Sequence, residues 1–199
     1  MKKKMAATTL AAVCLALGAG ASFASKKEKK PSAEPPAKEQ FTATVSPPPM
    51  NINDTATIVV IDYTTDAEMK DYGAAYLQGA DGAVRAKFRK GSMGYFAFGS
   101  FSFTFVLVRS IPNGSSRTEF MIGFAPQAGL QGSNTVFWNQ RFYPDYPYDV
   151  INIQLDSNGN GRGVLYQSVK LQFDAQGTPH VTPRERYPVE LLDVHPVKK

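Results

Sequence analysis

The sequence predicts an all-β protein, an antiparallel β-sandwich of immunoglobulin-like or jelly-roll-like type with at most one short helix. Three observations predict it. Many segments of strand length alternate apolar with polar residues or are β-branched throughout, clusters of Gly, Pro, Asn and Asp punctuate them, and no fixed internal period recurs. A small β-barrel is the alternative. The chain's 13 Phe and 9 Tyr supply the bulk for one core in 199 residues.

The first 24 residues carry an export pattern. Lys2, Lys3 and Lys4 precede an apolar stretch, and Ser22-Phe23-Ala24 sets small residues three before and one before a cut. These are the basic, apolar and cleavage regions of a secretory signal peptide of bacterial type, and cleavage is expected after Ala24. An uncleaved anchor is disfavoured because Thr8, Thr9, Gly18 and Gly20 dilute the run. Lipidation at Cys14 is disfavoured because Val13, before it, is branched and bulky. The mature chain would be periplasmic or extracellular, with no integral membrane span and no cysteine for a disulfide.

Residues 25–39 combine five Lys and three Glu with Pro, Ser and Ala, and lack any aromatic or β-branched residue. Such a composition buries too little surface to offset its ordering entropy, so a disordered tether is expected before a single domain at residues 40–199. That domain holds 14 basic and 14 acidic residues. A neutral body argues against nucleic acid as a partner.

Within the domain, residues 57–63 read as an interior strand. Thr65 and Glu68 stand at capping-box spacing, which predicts a helical turn or two, followed by a hairpin pairing residues 74–77 with 83–88 across Asp81-Gly82. Phe96 and Phe98 lie at even positions but Phe101, Phe103, Phe105 and Leu107 at odd ones. A β-bulge at Gly99 or Ser100 would return all six to one face, with Ser102 and Thr104 outward. Residues 119–124 alternate through Phe120, Ile122 and Phe124, and residues 135–143 are rich in aromatics. Ile151, Ile153 and Leu155 point one way with Asn152 and Gln154 the other, and residues 164–173 and 189–194 complete the strands.

Few residues carry chemistry. His180 and His195 have no cysteine or suitably spaced carboxylate beside them, so no metal ligand set is expected. Residues 156–161, Asp-Ser-Asn-Gly-Asn-Gly, open like a calcium loop, but the twelfth position is Gln167 rather than Glu; a plain hairpin turn explains the same letters. Gly-x-Ser-x-Gly and phosphate-binding glycine patterns are absent, so no catalytic residue and no cofactor is assigned. Paired carboxylates drawn from Asp62, Asp66, Glu68, Glu119, Asp145, Asp149 and Asp193 stay open, because a glycosidase-type pair has no sequence spacing.

What remains is an aromatic segment, residues 142–149, braced by Pro144 and Pro147, with Trp138 and Arg141 just before it. Rigid tyrosines make good contacts at low entropy cost. Trp138, Arg141, Tyr143, Tyr146 and Tyr148 are therefore the expected contact residues, unless the rings fold back as a lid on the domain. The function expected is a non-catalytic interaction module of the cell envelope or secreted medium, binding a protein or polysaccharide through these loops or a strand edge. Alternatives are a carbohydrate-active hydrolase and a self-assembling structural subunit in which residues 41–45 pair with a neighbouring molecule.

Overall fold

The computed structural model describes residues 37–46, 54–88, 91–99, 101–125, 143–184 and 188–197. Among them are strands β1 (Glu39–Ser46) and β2 (Asp54–Val60), helix α1 (Asp66–Lys87), then β3 (Gly94–Phe98), β4 (Phe101–Asn113), β5 (Ser116–Phe124), β6 (Tyr148–Leu155), β7 (Gly161–Phe173), β8 (Pro179–Pro183) and β9 (Val189–Pro196). Each of β1 to β6 pairs antiparallel with the next, β6 pairs with β7, β7 with β9, and β9 with β1. Eight strands thus close into a barrel, with β8 added beside the far half of β7.

This corrects the sandwich expectation in favour of the barrel alternative. Two packed sheets would each leave free edges, whereas β1 bonds β2 on one side and β9 on the other. The folded body also reaches into the segment expected to be tether. Lys38 donates its N–H to Val60 O at 2.8 Å, and β1 begins at Glu39.

An eight-stranded barrel is wide enough for side chains to fill and little more. Here Phe41, Ile58, Phe96, Phe105, Met121 and Ile151 fill it, all fully buried. Gly123 faces Phe103 so closely that an added Cβ would lie 2.4 Å from its ring. Thr42, Thr44, Ser102, Thr104 and Gln154 alternate outward and are half-buried or exposed. At these positions the wall is apolar inside and polar outside. No helix among the described residues is long and apolar enough to cross a membrane.

The phase flip in the phenylalanine run has a different cause from the bulge expected. Phe98 and Phe101 pair directly across β3 and β4, so Gly99 (φ 56°) begins a two-residue hairpin connection. Paired residues share a face, which gathers Phe96, Phe98, Phe101, Phe103 and Phe105 inside the barrel with ring centroids 5.5–6.1 Å apart. A register shift does occur, but farther on, between Phe105 and Leu107. It turns Val106 and Leu107 outward, leaving Val108 in the barrel core. Phe120 and Ile122 likewise face outward, while Phe124 is exposed.

Those outward apolar residues form a second core with α1, which covers this stretch of the wall. Tyr72, Phe88, Leu107, Ile122, Tyr148 and Phe173 meet there. The helix starts as the sequence predicts: Thr65 accepts from the Glu68 N–H, and the Glu68 carboxylate accepts from the Thr65 N–H at 2.8 Å. It does not stop after two turns, and the hairpin expected at 74–88 does not form. A kink at Gly79 and Ala80 separates two helical halves, and Asp81 and Gly82 open the second. Gly73 sits where the helix meets the β7–β8 turn, since a Cβ there would lie 2.4 Å from Asp174 O.

Candidate functional site

The barrel's first polar feature is built at the end where β1 begins and β2 and β4 finish. Odd-numbered residues of β1 face inward, so Glu39 continues the row of Phe41, Ala43 and Val45; the same alternation sends Glu119 inward behind Met121. Arg117 joins the two carboxylates, donating from Nη2 to Glu39 at 2.5 Å and from Nε to Glu119 at 2.7 Å. Ser110 Oγ donates to Glu119 Oε1 at 2.8 Å and the Tyr63 hydroxyl to Glu39 Oε1 at 3.0 Å. Glu119 is 0% exposed and its Oε2 has no hydrogen-bond partner. Burial raises its pKa, against the pull of the Ser110 and Arg117 hydrogen bonds. Burial likewise raises that of Tyr63, reinforced by both glutamates. One guanidinium therefore holds two carboxylates, one of them sealed from solvent.

The second feature is the aromatic segment, whose tyrosines do not act alike. Tyr148 begins β6, is 1% exposed and packs in the core beneath α1. Its hydroxyl donates to Asp81, which also takes the Arg85 guanidinium at 2.5 Å, and Arg85 lies 5.1 Å from the Tyr148 ring centroid. The expectation of Tyr148 as a surface contact is thereby corrected. The strand's alternation turns it under the helix, where the ring joins Phe88 and Phe124.

Tyr143 and Tyr146 are half-buried and precede β6 in a turn closed by the Tyr146 N–H donating to Tyr143 O at 2.8 Å. The Arg184 guanidinium lies 3.6 Å from the Tyr143 centroid and the Lys170 amine 5.9 Å from that of Tyr146. Beside them a cavity of about 360 Å³ is lined by Tyr76, Asp81, Pro144, Asp145, Tyr148 and Lys170. Trp138 and Arg141 lie outside the described residues, as does most of the aromatic-rich stretch 135–143.

The remaining expected positions fall into structural roles. Residues 156–160 form the β6–β7 hairpin turn, where Asp156 Oδ1 accepts from the N–H groups of Asn158 and Asn160 and Gly159 takes φ 82°. The β7–β8 turn repeats that pattern with other letters: Asp174 Oδ1 accepts from Gln176 and Thr178, and Gly177 has φ 83°. An Asp and a Gly at these spacings make the turn without the asparagines that suggested calcium. His180 lies on β8 and His195 on β9, and His195 is hydrogen-bonded to Thr42 at 2.9 Å. Among the described residues no three His, Cys, Asp or Glu side chains gather as metal ligands.

Of the carboxylates left open, Asp62 pairs with Lys38, Asp66 with Arg109, and Glu68 caps the helix. Asp149 is buried against the Ser168 N–H at 2.9 Å. The convergence of Glu39 with Glu119 escaped sequence inspection because 80 positions separate them and barrel closure alone unites them. Alternation alone did signal that Glu119 and Met121 share a face. No protein-family model, no curated protein and no solved structure matches the chain.

Proposed function

We propose that this chain is a non-catalytic interaction module of the cell envelope or secreted medium, exported after cleavage behind Ala24, that binds a protein or polysaccharide through the surface around Tyr143 and Tyr146. One observation carries it. The barrel interior is filled by its own side chains, while these two rings lie at the surface, each beside a cation and next to a cavity. A cation set against a ring restrains it, so less freedom is lost on binding. The adjoining hollow offers space for a partner's protruding group.

The hydrolase alternative would draw on Glu39 and Glu119. Against it, both carboxylates are bound to Arg117 and Glu119 is sealed, so neither is a free group facing a substrate space. Self-assembly through residues 41–45 is disfavoured because both edges of β1 are already paired.

The test is co-sedimentation of the full chain with envelope fragments and with purified envelope polysaccharide. The double variant Tyr143→Ala/Tyr146→Ala should lose at least tenfold in apparent affinity at unchanged melting temperature. Unchanged retention would overturn the proposal, and hydrolysis of the polysaccharide that stops in Glu119→Gln would favour the enzyme instead. Mass spectrometry of the exported protein should find Ser25 as its first residue.

A further inference from the structure

A second surface lies on the opposite side chains of β6 and β7 from the barrel core. Cross-strand register sets Gln154 directly opposite Arg162, and Asn152 opposite Val164, which in turn faces Glu190 of β9. Two open hollows, of about 560 and 410 Å³, share Gln154 and Arg162 in their linings and adjoin at these two side chains as a shallow trough. It begins between the β4–β5 and β6–β7 hairpins, at Thr118 and Asn160, and ends at Tyr166 and Leu192.

Asn152, Gln154, Arg162 and Tyr166 make no side-chain hydrogen bond or ion pair with any described residue. An array of unfilled amide and guanidinium groups with one half-buried ring beside apolar Val164 and Leu192 has a definite chemical complement. Amides donate and accept at once, as vicinal hydroxyls do, and a tyrosine ring packs against the C–H face of a pyranose. Among the described residues that line the hollows, Arg117 is bound to Glu39 and Glu119 while Arg162 has no ion-pair partner, and the carboxylates of Asp156 and Glu190 line the same hollows, which leaves little net charge to attract a polyanion.

We propose that this trough binds an uncharged oligosaccharide chain, laid across β6, β7 and β9 with Tyr166 beneath one sugar ring and Gln154 and Arg162 on the hydroxyls of the next. It uses no residue of the segment 143–148, so the two surfaces can be tested apart.

The experiment is calorimetric titration of the full chain with cellohexaose, chitohexaose and maltohexaose, with hexagalacturonic acid as the charged arm. At least one neutral hexamer should bind. Arg162→Ala and Gln154→Ala, both exposed and without structural partners, should weaken it about tenfold each at unchanged melting temperature. Tyr166→Ala should weaken it further, and Tyr146→Ala should leave it within twofold. Binding by none of the neutral hexamers, tighter binding of the charged one, or binding insensitive to Arg162 and Gln154 would overturn the trough. Loss in Tyr146→Ala alone would transfer the sugar to the tyrosine segment, rejecting this site while supporting the other.

Discussion

Asp149 is the residue whose chemistry is most at odds with its surroundings. It lies fully within the fold beside the β6–β7 bulge, takes one N–H from Ser168 (φ 52°), and leaves its second oxygen without a partner. Burial pushes its pKa from 3.8 to about 7, opposed by the Ser168 hydrogen bond. A carboxyl whose folded pKa lies above its unfolded one favours the folded state fully below the unfolded value, and that contribution is lost as pH rises toward the folded one. Stability should therefore fall between about pH 4 and pH 7, by a few kcal/mol. Asp149→Asn keeps an acceptor for Ser168 without the charge, so its thermal melts should match wild type near pH 4 and exceed it at pH 8. A difference between the two that does not vary with pH would show that Asp149 does not titrate in this range. The sequence offered Asp149 only as one acid among seven, because burial of a side chain is decided by which strand lies across from it.

At the scale of elements, α1 was legible at its start and illegible beyond it. The capping box is local chemistry over four residues, and Thr65 and Glu68 announce it wherever the rest of the chain goes. Glycine weakens a helix interior, yet Gly73 is a point of close approach to the β7–β8 turn. Gly177, facing it, would place a Cβ 2.0 Å from Met69 O. Tertiary packing, invisible in sequence, reverses the meaning of the residue. Gly73→Ala should thus destabilise by roughly 1 to 3 kcal/mol through overpacking, despite alanine's better helix propensity. The kink predicts the opposite sign seven residues later. Ala80 has φ 52° and ψ −145°, a backbone region suited to glycine, so Ala80→Gly should stabilise by about 1 kcal/mol. Urea titrations of the two variants check both signs together. The phenylalanine run teaches the same lesson within β3 and β4. A bulge and a two-residue turn both invert alternation, and only the partner strand tells them apart.

For the molecule as a whole, most strands were readable, and the inward face of some of them, but closure was not. Ile151, Ile153 and Leu155 face the core as their alternation required, yet a sandwich and a barrel demand the same alternation. What decides between them is the pairing of β1 with β9, residues some 150 positions apart, including the shift between Thr42 and Thr44. Closure has a consequence for association. All eight barrel strands have neighbours on both sides, so among the described residues the open edge belongs to β8, which pairs there with β7 alone. That strand is five residues long and begins and ends in proline, Pro179 and Pro183, each unable to donate an N–H to an incoming strand. The prolines should therefore act as guards against edge-to-edge pairing. Sedimentation equilibrium of wild type should give a mass independent of concentration. Pro179→Val/Pro183→Val, which restores two donors and β-branched side chains to the edge, should give a mass that rises with concentration. A variant as monodisperse as wild type would mean that residues 180–182 are too short a template for pairing even with the prolines removed.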